Sequence, residues 1–180
     1  MQVISVIAGA LVMLGLSAQA QERRAVIFDI DGTLTPSVLA IDTVRDDAAL
    51  AATHFADAGV AIIYLTARVP LFQDRVADWL DDNGFPPGQL YLTQTDADRD
   101  DHGAFKARVL ATYAAEGWTF VAAFGDSSSD FAAYAEVGVP QQQVYALRRR
   151  GAWRCKEGAW QGCYDRWADL LPVIKATLVP

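Results

Sequence analysis

Apolar and polar positions fall in blocks along this chain rather than in strict alternation. Short apolar runs at 24–28, 60–65 (VAIIYL), 90–93, 120–124 and 144–147 show no polar face. Runs of that length without a polar face read as strands buried on both sides. Between them lie segments with helical spacing, at 41–58, 70–83, 103–116 and 129–137. Gly59, Gly84 and Gly117 follow three of these segments; glycine in that place is a helix stop signal. Strands alternating with helices predict a three-layer, Rossmann-like α/β fold, a parallel sheet with helices on both faces. In such folds reactive groups gather beyond the carboxyl ends of the strands.

The N-terminal segment is of another kind. Residues 3–16 are apolar and uncharged, Ala18-Gln19-Ala20 has a small-x-small pattern, and the first charges are Glu22, Arg23 and Arg24. That order predicts a signal peptide over residues 1–20 and one domain over 21–180. The n-region carries no Lys or Arg. An uncleaved anchor or a first strand are the alternatives, but the run is shorter than the ~20 residues of a span. The expectation is an exported protein, periplasmic or secreted, with no stable transmembrane segment after processing. Cys155 and Cys163 are the only cysteines. In an exported chain such a pair predicts a disulfide; in a cytosolic one they would be free thiols. The net charge of −7 argues against nucleic acid as a partner.

Polar residues then fall at strand ends. Asp29 and Asp31 follow the first strand, Thr66 and Arg68 the second, Asp126 and Asp130 the strand at 120–124. Residues two apart on a strand project to one side, so Asp29 and Asp31 bring like charges together at the mouth of an apolar element. Unpaired, that costs free energy. Asp29, Asp31 and Asp126 offer hard oxygen ligands of the type Mg²⁺ prefers. A carboxylate can also attack phosphorus, and a second one can move the proton. A transferring phosphoryl group needs donors and positive charge around it. Thr66 supplies a hydroxyl, and Lys106 is the only lysine between the second strand and the GDSSSD turn.

The stretches DIDGTLT, LTAR, Lys106 and GDSSSD, in this order, resemble the four motifs of the haloacid dehalogenase superfamily of phosphohydrolases. The resemblance implies Asp29 as nucleophile and Asp31 as general acid and base, with Thr66 and Lys106 stabilising the phosphoryl group. It implies Mg²⁺ held by the Asp29 carboxylate, the Asp31 backbone carbonyl and Asp126, with Asp130 in or near the shell. A closer similarity, through DIDGTLTPSV, YLTAR, HGAFK and FGDSSSDFAAYAEVGVPQQQVYAL, is to the catalytic domain of the lipins, the Mg²⁺-dependent phosphatidate phosphatases. Where lipins often have Gly-Asn in the fourth motif, this chain has Gly125-Asp126. A related branch keeps the fold as a phosphatidate-binding module and lacks the catalytic aspartates; both are present here.

Only 34 residues separate Asp31 from Thr66, and 39 separate Thr66 from Lys106. Each gap also has a helix and a strand to build, which leaves no room for a cap domain, since segments below ~40 residues rarely fold alone. The site is expected to be open. Gly32, Thr33 and Arg68 are the expected contacts to the substrate phosphate, with a surface ion pair as the other role for Arg68. Arg148, Arg149 and Arg150 follow the last strand, as contacts to anionic head groups or as a solvated turn. Asp96, Asp98, Asp100 and Asp101 lack the Gly and Glu of an EF-hand and read as a solvated acidic loop. Trp153, Trp160 and Trp167 read as core or lid packing. The expected activity is Mg²⁺-dependent phosphomonoester hydrolysis through an aspartyl phosphate, on phosphatidate or another lipid phosphate. The alternatives are a phosphatase for soluble monoesters such as nucleotides or sugar phosphates, and a non-catalytic phosphatidate-binding module.

Overall fold

A computed structural model describes residues 22–178; the expected signal peptide lies outside the described residues. Six strands, β1 (Arg24–Asp29), β2 (Ala61–Thr66), β3 (Gln89–Leu92), β4 (Thr119–Gly125), β5 (Val144–Leu147) and β6 (Gly162–Tyr164), form one sheet in the order β3-β2-β1-β4-β5-β6. Every pairing is parallel. The chain leaves β1 toward β2 on one side and later returns to place β4 on the other. The β1/β4 boundary is therefore the point where strand order reverses, and clefts form there.

Both faces of the sheet are covered. Val26, Phe28, Tyr64, Phe124 and Tyr145 face α1 (Ala48–Asp57), α2 (Val76–Asp82) and α6 (Trp167–Leu178). Ala25, Ile27, Ile63, Leu65 and Ala123 face α4 (His102–Ala115) and α5 (Ser128–Glu136). Neighbours along β1 thus alternate between two cores, which is why the run looked uniformly apolar. Phe28, Phe124 and Tyr145 stack across three adjacent strands, with centroids 5.1 Å apart in each step. Trp167 packs on Phe124 at 5.0 Å and is fully buried. Such aromatic pairs add about 0.5–1.5 kcal/mol each beyond their area, and they stiffen the centre of the sheet below Asp29.

Several boundaries differ from the expectation. The helix foreseen at 41–58 begins only at Ala48, because Asp47 takes a left-handed conformation (φ 63°). The segment foreseen at 70–83 opens as a 3₁₀ turn, Pro70–Phe72, before α2. Residues 96–100 are not a solvated loop. They form a short helix, α3 (Asp96–Asp100), with a Thr95–Asp98 capping box, and Asp98 is buried. Asp101 caps α4 by accepting from Ala104 N at 2.9 Å. Of the tryptophans, Trp167 is core whereas Trp153 is exposed. β6 and α6 lie beyond the elements that the apolar pattern predicts.

The disulfide is present: Cys155 and Cys163 are bonded, with Cα atoms 5.9 Å apart. It ties the β5–β6 connection to β6. Among the described residues no cap domain interrupts the fold: the connection after β1 holds turns and α1, and that after β2 holds the 3₁₀ turn and α2.

Candidate active site

β1 ends at Asp29, and both oxygens of this carboxylate are held. Thr33 Oγ1 donates to Oδ2 at 2.8 Å, and Lys106 Nζ donates to Oδ1 at 2.5 Å. Thr33 reaches back because the DGT turn folds over the strand end, with the N–H groups of Thr33, Leu34 and Thr35 all donating to Ile30 O. Thr33 is fully buried. It positions Asp29, whereas the sequence pointed to substrate contact. Lys106 lies in the second turn of α4 and is also buried. Its ammonium spans Asp29 and Asp130, at 2.5 Å each.

Asp130 is committed on both oxygens. Oδ1 takes Lys106, while Oδ2 accepts from Asp126 N at 3.1 Å, Ser127 N at 2.9 Å and Ser127 Oγ at 2.7 Å. It is the capping-box partner at the start of α5. A Cβ at Gly125 would lie 2.7 Å from Asp130 Cβ, so only glycine lets α5 begin this close to β4.

Asp29, Asp126 and Asp130 bring carboxylate oxygens within 4.8 Å of one another, all buried. Burial pushes the Asp29 carboxyl well up, and the Asp130 charge pushes it further, against Lys106. Asp126 is pushed up to about 6, by burial first, with Arg149 pulling the other way. Asp130, although buried, is held low by Lys106, and the Lys106 ammonium is held charged by Asp130 and Asp29 against the pull of burial. The ammonium is therefore matched mainly to Asp130. The three carboxylates Asp29, Asp126 and Asp130 meet only two cations, Lys106 and Arg149, so the cluster keeps a surplus of negative charge. An oxygen-only donor set with surplus negative charge suits a hard divalent cation.

Asp31 sits two residues on and faces the other wall. Thr66 Oγ1 donates to its Oδ2 at 2.5 Å, and Arg68 grips it with Nη2 to Oδ1 at 2.6 Å and Nε to Oδ2 at 3.2 Å. Arg68 is buried, so it is not the partner of a surface ion pair. Thr66 thus meets Asp31 here, at the end of β2. Arg149, from the connection after β5, pairs with Asp126. That contact was missed; the available signal was that Arg148–Arg150 leave a strand at the reactive edge. Of the other two, Arg148 pairs with Asp165, and Arg150 is exposed.

These groups open into one cavity of about 480 Å³, which Asp29, Asp31, Arg68, Lys106, Asp126 and Arg149 line. Val38, Leu39 and Ile41 from the connection after β1 and Val69 and Phe72 from that after β2 add an apolar part to the lining, beside the polar His102, Ser127 and Ser129.

A family model for the LNS2 domain of the proteins PITM 1–3 matches residues 26–148. The chain belongs to the LNS2 family. Among curated LNS2 relatives, it is 30% identical over 137 residues to membrane-associated phosphatidylinositol transfer protein 3 of Homo sapiens, covering 74% of this chain and 14% of that protein. It is 32% identical over 137 residues to protein 1 of the same name from Homo sapiens, covering 74% and 11%. It is 30% identical over 131 residues to protein retinal degeneration B of Drosophila melanogaster, covering 71% and 10%. The match is thus to a small part of much longer proteins. Among solved structures, D,D-heptose 1.7-bisphosphate phosphatase from B. bronchiseptica, complexed with magnesium and phosphate, superposes with TM-score 0.59 at 14% identity, over 87% of this chain and 98% of that one. A chain of the Pnkp1/Rnl/Hen1 RNA repair complex superposes with TM-score 0.60 at 14% identity, over 72% and 44%. At that identity the likeness is one of fold, and the fold of this LNS2 chain is of the haloacid dehalogenase type.

Proposed function

We propose that this LNS2 chain is a Mg²⁺-dependent phosphomonoesterase that works through an aspartyl phosphate, with phosphatidate or another lipid phosphate as substrate. One observation carries the reading: Asp29 is fixed at both oxygens and lines, with Asp31 and Asp126, a cavity to which Val38, Leu39, Ile41, Val69 and Phe72 add apolar side chains. A carboxylate held in this way is poised for in-line attack without losing orientation on binding.

In this reading an Asp29 oxygen forms a bond to phosphorus while the bond from phosphorus to the leaving alkoxide breaks. Asp31 gives that alkoxide its proton. Water then attacks the phosphorus, Asp31 takes the proton back, and the bond to Asp29 breaks to release phosphate. Lys106 and Thr66 stand beside the equatorial oxygens and balance the charge that develops there. Arg68, which grips Asp31, turns to the phosphate. Asp29 and Asp126 would hold Mg²⁺, with the Asp31 carbonyl; Asp130 supports them from behind, since both its oxygens are engaged. The ion, when bound, supplies charge neutralisation at the phosphoryl oxygens.

Exposed apolar side chains near the site support a lipid substrate. Val38, Leu39, Val69, Leu71 and Phe72 are exposed large apolar side chains, and among the described residues only Leu50 and Trp153 share that state. Apolar side chains gathered around a polar site mark a surface for an apolar partner. The disulfide supports an exported location, because such bonds persist in oxidising compartments.

The test is phosphate release from phosphatidate in mixed micelles, from nucleotides and from sugar phosphates, with Mg²⁺, beside Asp29→Asn. Turnover of phosphatidate that this substitution abolishes is the expected result. Turnover that persists in Asp29→Asn would remove the nucleophile from this scheme. Binding of phosphatidate without release would make the domain a binding module instead.

A further inference from the structure

Arg149 takes up the same carboxylate that the metal reading requires. Its guanidinium Nε donates to Asp126 Oδ2. The approach is built into the backbone on both sides of it. Arg148 N donates to Tyr164 O at 2.8 Å, and Arg148 O accepts from Arg45 Nη2 at 2.8 Å. Arg150 N donates to Pro36 O at 2.9 Å. Space for the contact comes from Gly32, whose φ is 92°. A Cβ there would fall on the Asp126 carboxylate and lie 3.2 Å from Arg149 Nε.

The contact is nonetheless exchangeable. The Arg149 side chain is 29% exposed, whereas that of Asp126 is 2%. Arg149 lines the cavity, as Arg68 does. A guanidinium carries one permanent charge, and its donors match the geometry of carboxylate and of phosphate. A divalent ion brings twice the charge to the same oxygen.

We propose that Arg149 is a built-in competitor of the divalent ion at Asp126. It neutralises that carboxylate before the ion arrives, and on metal entry it swings into the cavity to receive the substrate phosphate with Arg68. Metal entry then prepares the anion site, and by linkage an anion on Arg149 favours metal entry. The inference rests on Asp126 being a metal ligand, as read above.

The experiment is calorimetric titration of the chelator-treated protein with MgCl₂ alone, in wild type, Arg149→Gln and Arg150→Gln. Inorganic phosphate is then titrated at saturating Mg²⁺. Arg150 is an exposed neighbour that carries the same charge, so its substitution reports the through-space effect alone. We expect Arg149→Gln to bind Mg²⁺ about 5–10-fold tighter than wild type and phosphate about 5-fold or more weaker, the range of ordinary site coupling. Arg150→Gln should change Mg²⁺ affinity by less than about 2-fold on the same scale. Equal Mg²⁺ affinity in wild type and Arg149→Gln overturns the competition while leaving the metal site intact, and so does an Arg150→Gln effect as large as that of Arg149→Gln. Tighter Mg²⁺ with unchanged phosphate binding overturns the swing into the cavity. No Mg²⁺ binding by any of the three proteins removes the metal reading itself.

Discussion

Lys106 Nζ lies 2.5 Å from Asp29 Oδ1, although 77 positions separate the two residues in sequence. The same ammonium reaches Asp130 at 2.5 Å, so one buried cation joins the end of β1, the second turn of α4 and the start of α5. Truncating one member of a buried, hydrogen-bonded charge cluster leaves the others uncompensated, at a cost of about 3–5 kcal/mol. Lys106→Met, which keeps the volume and loses the charge, should therefore lower stability in urea by about that amount at pH 7. Equilibrium denaturation measures it. A loss below about 1 kcal/mol would mean the cluster is already relieved by water or by Arg149.

Leu39 lines the cavity and Leu71 lies between Val69 and Phe72, which line it; the two leucines are 90% and 82% exposed. Burying a leucine contributes roughly 1.5–3 kcal/mol. If these side chains meet a lipid surface, Leu39→Ser with Leu71→Ser should cut phosphate release from phosphatidate vesicles by about tenfold or more. Hydrolysis of p-nitrophenyl phosphate, which needs no such surface, should stay unchanged. Equal losses on both substrates would place these leucines in the fold or the chemistry rather than at a membrane.

Asp98 is a pH-dependent brace outside the site. Gln94 N donates to its Oδ2 at 3.0 Å and Arg108 Nη2 to its Oδ1 at 2.6 Å. These donors, with Thr95 N, hold its carboxyl well below the usual range. A carboxyl depressed in the folded state contributes stability above its unfolded value, about 4, and that contribution fades as pH falls further. Asp98→Asn should thus be less stable than wild type at pH 7, and the gap should narrow toward pH 2. Thermal melts at both pH values decide it; a gap that widens on acidification would refute the assignment.

The bond from Cys155 to Cys163 closes a loop of sequence separation 8. Chain-entropy models give such a loop about 2–3 kcal/mol. Cys155→Ala with Cys163→Ala should lower the melting temperature by about 5–10 °C. Dithiothreitol should lower that of wild type equally and leave the double variant alone. An unchanged wild-type melt in reductant would show that the bond adds nothing to the fold.

Much of the architecture was legible because it rests on local rules. Apolar runs such as VAIIYL alternate between two cores, so they contain no polar face, and the glycines after α1, α2 and α4 take positive φ as helix stops. The start of α1 was not legible, since Asp47 turns left-handed in a stretch with helical spacing. β6 has only three residues and joins the edge of the sheet through β5 and the disulfide. Pro172 stands inside α6, and proline in a helix interior argues against helix in any window that contains it. What compensates is the burial of Trp167, Leu170 and Ile174 against the sheet, a long-range term.

From the sequence alone, the reactive edge was determined: which strands end in Asp29, Asp31, Thr66, Asp126 and Asp130, and that their side chains share one rim. That much follows from strand alternation and parallel connection, both short-range. Which group meets which was decided only by the tertiary structure. Lys106 turned to Asp29, Arg68 to Asp31 and Arg149 to Asp126, because charge pairing across a cavity depends on distances among residues 23 to 77 positions apart, and no local pattern encodes those distances.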